Sequence, residues 1–263
     1  MRGLLSWGYA AVNRVLHPFG MRLQKTDAPT RTFRDFFLHL RSQRMEFRTI
    51  IDVGVARGTP AIYDAYPKAK YWLVEPLDEF RGALQRLSSR LDATVVLAAA
   101  GASDGEVDIN VHADLSGSSV LPQAEGPALD GVARRVRLVR LDGLLPPSID
   151  SPVLLKIDTQ GNELMVLDGL GARLGEIDVL IIESSFMPLR VGAPEVADVV
   201  RRLDELGFAA YDILEGHSRA LDGALAQVDL VFVPKQSPLR RDPGFFSPDQ
   251  LARYIRRPPP RTD

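Results

Sequence analysis

The chain alternates between short apolar runs and longer stretches in which apolar residues recur every three or four positions. The runs at 49–53, 71–74, 94–99, 153–157 and 179–182 predict strands, and the unbroken 179–182 run suits a strand buried on both faces. Between them lie helical spacings. Phe33, Phe36, Phe37 and Leu40 follow a polar linker at 26–32. Phe80, Leu84, Leu87 and Leu91 follow the second run. A helix over 194–206 starts at Pro194, turns Val196, Val199, Val200 and Leu203 inward and stops at Gly207. Residues 107–111 and 132–138 alternate as half-exposed strands do, with a Ser/Gly/Pro-rich loop at 114–130 between them. The last two runs, 209–214 and 228–233, are joined without a helix and so pair antiparallel. Ser247-Pro248 opens a short helix in the tail.

This order predicts an α/β fold, Rossmann-like, with a seven-stranded mostly parallel sheet and an antiparallel last strand. The expected organisation is a helical extension over 1–45, a main domain over 46–236 with a β-excursion at about 105–140, and a tail over 237–263. The pattern is densest at Thr49-Ile50-Ile51-Asp52-Val53-Gly54-Val55-Ala56-Arg57-Gly58-Thr59-Pro60. It reads as a buried strand, a tight turn through Gly54 and Gly58, and a helix capped by Thr59 with Pro60 at its first position. Free amides at such a helix start and close backbone approach make a nucleotide-type cradle.

Composition narrows the choices only slightly. A net charge of −2 gives no field to attract nucleic acid. The absence of cysteine excludes disulfides, thiolate zinc sites and thiol nucleophiles, and suits a cytoplasmic protein. Leu5, Tyr9, Val12, Leu16 and Phe19 recur at helical spacing among Arg2, Arg14, Arg22 and Lys25. Two readings follow: weak contact with a membrane surface, or a helix packed on the domain or in a homodimer.

Glu75 ends the second strand, where a carboxylate can accept both hydroxyls of a ribose; alone it could equally cap a helix. A nicotinamide fold wants G-x-G-x-x-G after the first strand, but position 56 is Ala. The loss of the middle glycine disfavours a pyrophosphate. S-adenosylmethionine carries no phosphate, and the acidic Asp52 suits its cationic amine or sulfonium.

The sequence resembles the FkbM family of S-adenosylmethionine-dependent methyltransferases. The resemblance runs from about residue 50 to 233 through Ile51-Asp52-Val53-Gly54-x-x-x-Gly58, Val74-Glu75-Pro76, Leu141-Asp142-Gly143-Leu144, Leu155-Lys156-Ile157-Asp158-x-Gln160-Gly161-x-Glu163 and Asp229-Leu230-Val231-Phe232-Val233. It implies a class I methyltransferase fold and methyl transfer to a hydroxyl of a sugar, glycolipid, polysaccharide or natural product. Many relatives carry Asn at the position of Ala56.

The candidate cofactor residues are Asp52, Gly54, Gly58, Glu75, Ser103, Asp104 and Asp158. Ser103 and Asp104 follow the third strand, where adenine lies in this fold, or form a plain Asp-Gly turn. Asp158 ends the fourth strand at the edge where such sheets bind ligands, and is also the leading catalytic candidate, as base or orienter of the acceptor hydroxyl; otherwise it caps the next helix. Glu183 and His112 are the other catalytic candidates, with His217, Ser118 and Ser119 nearby in kind. Asp158, Glu163 and Glu183 are three carboxylates without a histidine at ligand spacing, so no metal is expected. The partner expected is a small-molecule or glycan acceptor, not nucleic acid. The competing reading is an inactive methyltransferase-like binding module in glycan assembly.

Overall fold

The apolar runs assemble into one seven-stranded sheet in the computed structural model, which describes Val12, Val15 and residues 30–256. The amphipathic N-terminal stretch otherwise lies outside the described residues. Thr32 caps α1 (Phe33–Ser42) by accepting the Asp35 N–H at 3.1 Å, and α1 buries Phe33, Phe36, Phe37 and Leu40. β1 (Thr49–Val53), α2 (Pro60–Ala65), β2 (Lys70–Val74), α3 (Arg81–Ser88) and β3 (Asp92–Val96) form the first half. β4 (Ala99–Ala100), β5 (Gly105–Val111) and β6 (Val132–Val139) leave the main sheet as a three-stranded sheet of their own, followed by α4 (Leu141–Leu144). β7 (Val153–Ile157), α5 (Glu163–Leu170), β8 (Val179–Ser185), α6 (Val196–Glu205), β9 (Phe208–Ser218) and β10 (Leu225–Pro234) form the second half, and α7 (Pro248–Ile255) follows.

The order across the main sheet is β3-β2-β1-β7-β8-β10-β9. β10 runs antiparallel to both its neighbours; the other pairs are parallel. The short link from β9 to β10 forces a hairpin, and β10 fills the gap left between β8 and β9. Apolar layers cover both faces, one centred on Leu155, Leu167 and Phe232 and the other on Phe36, Ile50 and Leu154. The chain reverses its direction of travel across the sheet between β1 and β7, so their C-terminal ends open a crevice.

Three local expectations are corrected. The strand expected over 94–99 splits, because the Ala98 N–H donates to the Glu75 and Val96 carbonyls (3.1 and 3.2 Å) and turns Ala99 toward β6. Thr59 makes no side-chain cap, although Pro60 does take the first helical position. The helix expected from Pro194 begins at Val196, where the Asp198 carboxylate accepts the Glu195 N–H at 3.1 Å, and this phase leaves Val200 39% exposed while Val199 and Leu203 are buried.

The turn after β1 is fixed by a close approach. Gly54 has φ +77°, its N–H donates to the Val74 carbonyl at 2.9 Å, and a Cβ there would stand 1.7 Å from the Asp158 carbonyl oxygen. The glycine therefore seats β1 against the end of β7 before any ligand is considered. Ala56, two residues on, has φ +47°, a conformation its Cβ disfavours. Ala56→Gly is expected to raise stability by about 1 kcal/mol, read as a higher midpoint in urea with an unchanged slope.

Candidate active site

A cavity of about 530 Å³ opens at the crevice between β1 and β7, a size usual for a ligand pocket. Gly54, Glu75, Leu77, Phe80 and Ala98 line one half of it; Asp158, Gln160, Glu183, His217 and Gln227 line the other. Asp114, Gly117 and Ser118, from the loop between β5 and β6, close the mouth.

The first half is a carboxylate among backbone donors and apolar walls. Glu75 is buried, its Oε1 accepting the Leu77 N–H at 2.9 Å and its Oε2 the Ala56 N–H at 2.8 Å. Burial pushes its carboxyl up to about 7 in spite of those two bonds, with Asp158 and Asp52 adding to the rise. Each oxygen keeps a second acceptor position. The left-handed turn at Ala56 is what aims its N–H at this carboxylate.

The second half is a row of acids around one cation. Lys156 lies on β7 and Asp158 follows directly after the strand, two residues on and toward the same face, with the Lys156 ammonium 3.0 Å from Asp158 Oδ2. Lys156 is only 4% exposed. Burial works against the charge on Asp158, but Lys156, the Gln160 amide and His217 outweigh it and hold the carboxyl below its usual range. Glu183 goes the other way. Burial and the neighbouring Asp158, Asp229 and Glu163 push it well above the usual carboxylate range. Gln160 Nε2 bridges the two, 3.0 Å from Asp158 Oδ1 and 2.6 Å from Glu183 Oε2, and Gln227 donates to the same Glu183 oxygen at 2.9 Å. A carboxyl held toward its ionised form and one pushed toward its protonated form thus stand side by side at the cavity wall, an arrangement suited to accepting a proton at one group and holding one at the other.

The structure brings Gly54, Gly58, Glu75, Asp158 and Glu183 together in this cavity. It places Asp52 beneath the floor, fully buried and bonded at 2.6 Å by the Tyr63 hydroxyl, with Oδ1 unpartnered; Gly58 has its own packing duty against the Tyr63 ring. Asp104 instead accepts the Arg140 N–H at 2.9 Å, and neither it nor Ser103 lines the cavity. His112 pairs with Asp114 at 3.0 Å just outside the mouth, whereas His217 faces inward. Ser119 is a strut, its hydroxyl donating to the Gln160 carbonyl at 2.7 Å; Glu163 is buried and ties down the Thr159 and Gly161 N–H groups. Lys156 and Gln160 belong to the motif that carries the resemblance but have no role assigned from sequence, and Gln227 and Arg190 are not singled out there at all. A lysine inside the otherwise apolar Val153–Ile157 strand was a signal in plain view; Arg190 sits in a loop with none.

Residues 52–210 match the Methyltransferase FkbM domain family. Among solved structures, the chain is similar to the precorrin-6y C5,15-methyltransferase of Geobacter metallireducens (15% identity, 77% of this chain and 86% of that one, TM-score 0.41). It is also similar to the magnesium protoporphyrin IX methyltransferase of Synechocystis with bound S-adenosylmethionine (12%, 77% and 77%, 0.44). A third is the 1,6-didemethyltoxoflavin N1-methyltransferase of Burkholderia thailandensis with S-adenosylhomocysteine (12%, 89% and 86%, 0.39). Comparison with curated proteins gives no match.

The cavity fits S-adenosylmethionine on its own terms: the spare acceptor positions of Glu75 suit a ribose diol, Leu77 and Phe80 give apolar walls, and ionised Asp158 suits a cation. The family match covers well over half of the 263 residues and the sheet is the expected Rossmann-like class I plan. The chain belongs to the FkbM methyltransferase family and is a methyltransferase dependent on S-adenosylmethionine.

Proposed function

We propose that the chain is an O-methyltransferase acting on a hydroxyl of a small, neutral, polyhydroxylated acceptor such as a sugar, glycoside or related natural product. The observation that carries this reading is the Asp158–Gln160–Glu183 bridge, which sets an ionised carboxylate beside hydrogen-bonding groups in the same cavity as the Glu75 cradle. Lys156, the lysine on the acceptor side, is already engaged by Asp158, which suits a neutral acceptor better than an anionic one. Gln227, Glu183 and His217 offer hydrogen-bonding groups on one wall of the cavity, which suits a polyol.

When bound, S-adenosylmethionine supplies an electrophilic methyl carbon and leaves as S-adenosylhomocysteine. Glu75 holds the ribose end. Asp158 would orient the acceptor hydroxyl and take the proton that its oxygen gives up on methylation. Because Lys156 keeps Asp158 a weak base, most of the rate comes from placing oxygen and methyl in line and from excluding water. The loop carrying Asp114 and Ser118 supplies that exclusion.

Three measurements test this reading. Incubation with methyl-labelled cofactor and a panel of sugars and glycosides is expected to give an O-methyl product by NMR; a product methylated on nitrogen or carbon overturns the assignment. Asp158→Asn is expected to lower turnover at least ~100-fold while S-adenosylhomocysteine affinity moves less than about threefold. For pH, Glu75 is protonated below about 7 in the free protein and only its ionised form accepts two hydroxyls. Calorimetric affinity for S-adenosylhomocysteine should therefore fall about tenfold from pH 8 to pH 6. Glu75→Gln should flatten that dependence and weaken binding by ~1–3 kcal/mol.

A further inference from the structure

Arg190, in the loop between β8 and α6, is 6% exposed and has no carboxylate partner among the described residues. Its Nη2 donates to the Gly117 carbonyl at 2.7 Å and to Gln160 Oε1 at 2.9 Å, and its Nε is unpartnered. Burial lowers the affinity of this guanidinium for its proton, and Glu183, Glu163, Asp158 and Asp114 offset the loss. A buried cation bonded only to neutral oxygens is costly, so its position calls for a reason.

The reason lies in what an amide can do. A guanidinium has donors and no acceptor, so the Gln160 side chain must turn its oxygen toward Arg190. The NH₂ group then faces Asp158 and Glu183, and each carboxyl receives one of its two hydrogens. In the opposite orientation the amide oxygen would stand against the Asp158 carboxylate. The main chain of Gln160 is pinned independently, at φ +59° with its carbonyl bonded by the Ser119 hydroxyl, so rotation of the terminal amide is the freedom left for Arg190 to remove.

We propose that Arg190 is a positioning residue that works through Gln160: it fixes the orientation of the amide that bridges Asp158 and Glu183, and by the same nitrogen ties that bridge to the Gly117 loop over the cavity. The inference rests on the methyl-transfer reading only for what Asp158 is used for; the orientation itself stands without it.

Asp158 is held down by Lys156 of β7, by Gln160 and by His217 of β9. Against it stand Asp52 of β1, Glu75 beyond β2, Glu163 of α5, Glu183 of β8 and Asp229 of β10. Loss of the amide donor therefore moves its titration upward. The experiment follows the Asp158 side-chain carbon by NMR in protein labelled with ¹³C-aspartate, the signal being assigned by its absence in Asp158→Asn. Arg190→Met and Gln160→Met are each expected to raise the Asp158 midpoint by about half a pH unit or more, and the double variant no further. No shift in Arg190→Met overturns the proposal. A shift of equal size in the Gln160→Met background also overturns it, since the guanidinium then acts on Asp158 by charge alone. In the wild-type protein, both Gln160 amide hydrogens are expected to exchange slowly with solvent, and fast exchange counts against the proposal even if Arg190→Met does not fold. S-Adenosylhomocysteine calorimetry on the wild type separates the two readings: no binding there sinks the methyltransferase assignment and leaves the titration result standing.

Discussion

A lysine in the middle of a sheet is the constraint on which the crevice depends. Lys156 lies on β7, flanked by β1 and β8, and an unpaired ammonium there would destabilise the fold by several kcal/mol. Asp158 answers it from the same face two residues on, and Asp52 lies across the β1–β7 pair in register with it. One cation cannot neutralise the whole row. Asp158 keeps its charge, while burial pushes Glu183, Asp229 and Glu75 toward the protonated state. The position of a single ammonium thus decides which carboxyl acts as an anion at neutral pH.

The same strand end also sets the geometry of the other half. Gly54 packs against the Asp158 carbonyl, so the turn that presents Ala56 and Glu75 is seated on a residue that lines the other half of the cavity. The two halves of the cavity are therefore one rigid corner. Tyr63 locks it from below through Asp52. The β5–β6 excursion contributes the cover, tied to the corner where Ser119 and Arg190 meet Gln160.

Much of this was legible in the residues. The strand ends, the antiparallel finish and the pairing of Gly54 with Glu75 follow from apolar runs and turn chemistry, which are local signals. The break of the third strand was not legible, because it depends on the Glu75 carbonyl from a neighbouring strand. Nor was the division of roles among the acids. Asp52 and Asp158 look alike in sequence, each at the end of an apolar run, but one lies under Tyr63 and the other beside the opening. Arg190 could be found only by folding, since the groups it bonds lie 30 and 73 residues away along the chain.

The antiparallel insertion of β10 has a consequence for how the protein is made. β8 leaves the ribosome well before the strand that will lie beside it, and β9 emerges with the slot between them still empty. Until residues 225–234 are synthesised, β8 presents an open edge with Glu183 upon it, and the acid row lacks both Gln227 and Asp229. The Glu75 half draws on residues that precede β10, while the Glu183 wall is complete only with it. Closing the sheet edge and completing the acid row therefore depend on the same short strand.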